Sequence, residues 1–147
     1  MIRSVTAAAL CVAAVTALSD CSGAVEVQPL PGATMAACAE LAWPTTVGGQ
    51  ARVSTTPDGA AHAAWGEPAI IARCGAAALA PTEEPCIDVD SVGWIPEKLS
   101  DGTRFTTFGT DPAIELLVPS TYAPESLLLP AFTKAAKGLP PNGLECR

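Results

Sequence analysis

The cysteines constrain this chain more than any other feature, and where the chain folds decides what they can do. Met1-Ile2-Arg3 makes a short positive start. An apolar and small-residue run follows from about Ala7 to Leu18, and Leu18-Ser19-Asp20-Cys21 closes it. Charged start, short apolar run and processing site are the order of a secretory signal, read here as residues 1–20 and of the lipoprotein type. The run falls short of the roughly 20 apolar residues of a membrane-spanning helix. The chain is therefore expected outside the cytoplasm, where thiols oxidise.

Six cysteines are present. Cys11 lies in the leader, and Cys21 is the lipidation candidate. Leu18 stands three positions before it, Ser19 is small, and Ser22-Gly23 follows as in lipoproteins. Asp20 departs from the pattern, because a small residue normally precedes the acylated cysteine. Ordinary cleavage after Ala24, with Ser22 and Ala24 at the recognition positions, is the competing reading and gives a secreted protein. Cys38, Cys74, Cys86 and Cys146 remain for the body. Four such cysteines imply two disulfides in one of three connectivities. The favoured set is Cys74–Cys86, closing a short loop with Pro and Gly, and Cys38–Cys146, tying the ends of the body together. None of the spacings is C-x-x-C and His62 is the sole histidine, so no metal site is read.

After the leader, about 125 residues are left, one domain by length. The net charge of −7 argues against nucleic acid, which asks for clustered Lys and Arg, and against electrostatic binding to an anionic membrane. Residues 21–33, with two prolines and no periodicity, read as a flexible tether, and 34–147 as the domain. Thr34 can cap a helix running to Leu41. Arg52–Thr55 and Pro68–Cys74 read as strands. Cys86–Val92 alternates at period two and reads as another, and Gly93–Leu99 continues it or follows as a second strand, with an edge or bulge at Pro96. Ser100-Asp101-Gly102 is a hairpin turn leading to Thr103–Phe108, and Ala113–Val118 is an apolar strand. Pro124-Glu125 opens a helix to about Lys137, with Pro130 delaying or kinking it and Gly138 just past its end. Strands flanked by separate helices give an α+β domain: a single small domain with an antiparallel sheet of about five strands, N- and C-terminal helices on one face, and two disulfides.

Chemistry is sparsely signalled. Asp88-x-Asp90 sets two carboxylates on one face of the expected strand, with Glu83 and Glu84 near. No D-x-D-x-D-G loop, G-x-S-x-G elbow or phosphate-binding glycine pattern occurs. Trp65, Arg73, Trp94 and Tyr122 are the candidates for a binding surface, against the plainer reading of the tryptophans as packing residues.

Cys38-x-x-Leu41, Trp65-Gly66-x-Pro68, Arg73-Cys74-Gly75, Val92-x-Trp94, Phe105-Thr106-Thr107-Phe108-Gly109, Asp111-Pro112-Ala113 and Val118-Pro119-x-x-Tyr122 follow one another along the body. In this order the chain resembles a family of small exported or lipid-anchored actinobacterial proteins, domain of unknown function 3515. Pro44-Thr45-Thr46 departs from it, where a longer Leu-Pro helix end is expected. The resemblance implies export and paired cysteines and brings no catalytic residues and no cofactor. The expected role is a non-catalytic cell-envelope protein, held on the outer face of the membrane by an N-terminal lipid or else secreted. It would act as a binding or accessory module for an envelope protein or cell-wall component. The alternative is a small extracytoplasmic enzyme acting on cell-wall material through carboxylates such as Asp88, Asp90 or Asp111.

Overall fold

The computed structural model describes residues 23–147; the leader, Cys11 and Cys21 lie outside the described residues. Ten strands run along the described residues: β1 Val25–Glu26, β2 Thr46–Val47, β3 Gln50–Val53, β4 Thr55–Thr56, β5 His62–Trp65, β6 Ile70–Ala76, β7 Ile87–Val89, β8 Val92–Lys98, β9 Gly102–Phe108 and β10 Ala113–Pro119. One helical turn, α1 (Ala36–Ala39), precedes the sheet. A 3₁₀ turn at Ser120–Tyr122, a 3₁₀ segment over Glu125–Phe132 and α2 (Thr133–Lys137) follow it. Eight strands form one sheet in the order β2-β3-β5-β6-β10-β9-β8-β7, while β1 and β4 make a separate parallel pair. Every pairing in the large sheet is antiparallel.

Alternation along the strands separates two faces. Trp65, Ile70, Ala72, Cys74, Phe105, Ile114, Leu116, Val118 and Trp94 turn toward the helical layer and are buried. Leu129, Phe132, Ala135 and Ala136 meet them from the C-terminal segments, and Cys38 from α1. The centre is an edge-to-face contact of Trp65 and Phe132, with ring centroids 5.3 Å apart, a favoured aromatic geometry. Trp65 Nε1 donates to the carbonyl of Pro44 at 3.0 Å, and Trp43 Nε1 to that of Ala60 at 2.7 Å. Both helices therefore pack on one face, as the sequence predicts.

The sheet is wider than the expected five strands. β5 is the Ala-rich stretch His62-Ala63-Ala64-Trp65, every residue of it buried; alanine carries little strand signal. β2 and β3 form a hairpin closed by Gly48 and Gly49, both at positive φ, as a tight two-residue turn requires. The single strand expected over Cys86–Val92 is two strands. Asp90 and Ser91 sit at φ 52° and 65° and turn β7 back onto β8, so Asp88 and Asp90 do not share a strand face. Pro96 lies where β8 has outrun β7: β7 reaches only to Trp94, and Pro96 pairs with Phe105 of β9 alone. This is the edge position expected for a residue without an N–H.

Residues 23–33 are not a free tether. Val25 N–H donates to Ser54 O and Val27 N–H to Thr56 O, and Val27 is buried. Further on, Gly32 N–H donates to Gly75 O at 2.9 Å. Gly75 is at φ 109°, and a Cβ there would strike the backbone of Gly32 and Ala33. α1 shrinks to one turn because it is held between this contact and Pro44.

The disulfides are Cys38–Cys74 and Cys86–Cys146, each with Cα atoms 5.5 Å apart. The expected pairing is thus corrected, and topology gives the reason. Cys74 is in β6 and Cys86 abuts β7, four strand positions away, about 19 Å at the usual spacing and beyond disulfide reach. Cys38 lies in the core, whereas Cys146 sits over Gly93, which turns to the opposite face from Trp94.

Non-reducing peptide mapping should recover Cys38 with Cys74 and Cys86 with Cys146. Each closure is worth about 4 kcal/mol on the chain-entropy model, but only Cys38 and Cys74 are fully buried. The Cys38→Ala/Cys74→Ala double variant should therefore lose more stability in urea than Cys86→Ala/Cys146→Ala, because it also opens a core cavity. Equal losses would contradict this packing.

Candidate functional site

The four residues expected to form a binding surface do not converge. Trp65 and Trp94 have no exposed surface and belong to the core face, so the Trp-lined groove is corrected to core packing. Trp94 Nε1 is buried without a hydrogen-bond partner. Arg73 is on the opposite face. Tyr122 is at the end of the sheet near the β5–β6 turn, its hydroxyl donating to Pro68 O at 2.7 Å.

What the structure does assemble is a row of charges across the outer face. Arg73 in β6 lies opposite Glu115 in β10, and Arg104 in β9 opposite Glu97 in β8. The Arg73 guanidinium is ion-paired with Glu115 and also donates to Gln28 O at 3.0 Å. The second oxygen of Glu115 is 3.9 Å from Arg104, whose Nε donates to Glu97 at 3.1 Å. The hydrogen bond to Glu97 raises the Arg104 pKa further. His62, also buried, pairs with Arg73 across β5 and β6; its Nε2–H donates to Pro57 O at 2.8 Å. Side-chain exposure falls inward from 57% at Glu97 and 33% at Arg104 to 11% at Glu115 and 15% at Arg73. The inner pair is thus the costly one to break, since removing one partner strands a desolvated charge. The N-terminal segment passes over this pair through Gln28, and Arg73 Nε has no partner. Sequence reading missed Glu115, Arg104 and Glu97. The available signal was one carboxylate inside the apolar strand Ala-Ile-Glu-Leu-Leu-Val-Pro.

A second polar cluster joins the helical segment to the sheet. Glu125 accepts from Lys98 Nζ at 3.0 Å and from the buried Thr103 hydroxyl at 3.2 Å. Its pKa is lowered, first by hydrogen bonding to its own backbone N–H and then by Lys98.

Two clefts flank the C-terminal residues 143–146. One, of 470 Å³, is bounded by Asp88, Val92, Thr110, Lys137 and Leu139. The other, of 550 Å³, lies beneath the loop at Thr82 and Glu83, against Ile95, Phe108 and Arg147. Both are of small-molecule size, but no histidine or free cysteine lines either. Asp88 accepts from Ser91 N–H in its turn, Asp90 accepts from the Thr133 hydroxyl, and Asp111 is exposed. Of these three carboxylates only Asp88 borders one of the two clefts. Among the described residues no three His, Cys, Asp or Glu side chains are grouped to hold a metal ion, and no helix is long and apolar enough to cross a membrane.

These features define a class: a disulfide-tied α+β domain, an antiparallel sheet with one helical layer and a charged outer face. The sequence profile of the family described as "Protein of unknown function (DUF3515)" matches residues 2–137, and the chain belongs to that family. Cys146 lies beyond the matched region. No curated protein and no solved structure matches the chain.

Glu115→Ala should destabilise the fold by about 3–5 kcal/mol, the usual cost of stranding a buried charge, whereas Arg104→Ala should cost under about 1 kcal/mol as a surface pair. Urea unfolding decides between them, and equal effects would refute the burial gradient. For Glu125 the lowered pKa sets the sign. Its contribution is present above its ordinary value of 4.5 and is lost as pH falls through the lower folded value. Glu125→Gln should flatten the acid limb of the stability–pH curve between 4.5 and that lower value and leave the alkaline limb unchanged.

Proposed function

We propose that this protein is a non-catalytic cell-envelope module, exported and anchored through Cys21, that acts by binding an envelope protein or cell-wall component. The observation that carries the reading is the Cys38–Cys74 disulfide, buried within the core. A bond built into the packing belongs to a chain that folds in an oxidising compartment. The order of charge, apolar run and Cys21 in the leader supports the same compartment.

The accessory role is supported by how the polar groups are used. Arg73 is paired with Glu115 and Arg104 with Glu97, and Glu125 is taken by Lys98 and Thr103. Carboxylate catalysis of glycosidic bonds needs two carboxyl groups facing one substrate, and of Asp88, Asp90 and Asp111 only Asp88 borders either of the two C-terminal clefts, which favours the accessory reading.

The test is a cross-linking pull-down of the full chain from its native envelope, with the mass of its N-terminal peptide read in the same sample. The expected result is an acylated Cys21 and a reproducible envelope partner, with Cys21→Ser released to the medium. An N-terminus starting at Val25 would overturn the anchor. Turnover of a cell-wall substrate by the purified domain would overturn the non-catalytic reading.

A further inference from the structure

We infer that one end of the domain seats directly on the lipid bilayer, the contact surface being the exposed residues of the two uncharged runs Val27–Ala39 and Gly75–Thr82. The inference rests on the acylation of Cys21 proposed above.

Reach limits how the domain can sit. Only four residue steps separate Cys21 from Val25, which is already hydrogen-bonded to Ser54. An extended chain spans at most about 3.5 Å per residue, so the leash is no longer than about 14 Å. A domain of this size has a radius of gyration of about 14 Å. A body on a leash no longer than its own radius cannot present every side to the membrane. The side on which the chain enters the fold is held against it.

That side is poor in charge. From Val25 the chain runs to Gly32, where it meets Gly75 backbone to backbone. Val27–Ala39 contains no charged residue, and neither does Gly75–Thr82. Pro29, Pro31, Ala36, Ala77 and Ala80 are exposed. Met35 is one of two large hydrophobic side chains standing well out of the described surface, at 44% exposure. The ends of the runs are acidic: Glu26, Glu40, Glu83 and Glu84 are all exposed. Basic residues that would bind anionic headgroups are missing from both runs, so the contact is apolar and held by the leash rather than by charge. The other prominent hydrophobe, Leu127 at 72%, lies in the 3₁₀ segment beside Lys98 and Glu125 and is the competing surface.

The experiment uses the acylated protein in phosphatidylcholine vesicles doped with a lipid carrying a diazirine high on its acyl chain. After photolysis, adducts are mapped by peptide mass spectrometry. Adducts on peptides spanning 27–39 and 75–82, several-fold above those around Leu127, are expected, with the pattern unchanged at high salt. The Met35→Glu/Ala77→Glu variant, altered only at exposed positions, should lose them while keeping both disulfides and its melting temperature. Adducts centred on Leu127, or none above background on an acylated protein, would overturn the seating and leave the anchor standing. A chain without an acyl group at Cys21 would overturn both, and the N-terminal peptide mass tells the two failures apart.

Discussion

The Cys38–Cys74 bond is where the parts of this domain are joined. β6 lies near the middle of the sheet, and three consecutive residues of it hold three different partners. Cys74 faces the core and is bonded to α1. Gly75 lets the N-terminal segment approach to backbone contact. Arg73, on the other face, binds Glu115 of the neighbouring strand and Gln28 of that same segment. Strand alternation makes this possible, since adjacent residues point to opposite sides. Neither β1, with two residues, nor α1, with four, is long enough to be stable alone. α1 is fastened to β6 by the disulfide, and β1 is held by its parallel pairing with β4.

The long apolar strands and the hairpin at Ser100–Gly102 were legible from alternation and turn chemistry, and so was the placement of both helices on one face. What escaped was written in residues with weak preferences. β5 is His-Ala-Ala-Trp, and its strand geometry comes from lying between β3 and β6 rather than from its own side chains. Asp90 and Ser91 adopt positive φ without a glycine to announce it, so the turn between β7 and β8 read as strand. Residues 25–33 read as tether because their hydrogen bonds go to Ser54, Thr56 and Gly75, far away in sequence. Disulfide pairing failed for the related reason that chain proximity misleads across a sheet whose strand order is not the chain order.

Family membership and paired cysteines were readable in short motifs, but the charged row was not. Its members come from β6, β8, β9 and β10, one residue from each, and only the register brings them together. The tryptophans, the most visible residues in the sequence, went to the core, where their area is of most use.

Pro96 and the brevity of the outermost strands have one more consequence. A sheet edge is an open row of donors and acceptors that another chain can extend. Here one border strand, β2, has two residues and the other, β7, three. The part of β8 left uncovered carries Pro96, Glu97 and Lys98: a missing donor followed by two opposite charges. Such a border gives a passing strand too few bonds to hold. Molecules of this kind can be crowded side by side on a surface without their sheets fusing into a fibril.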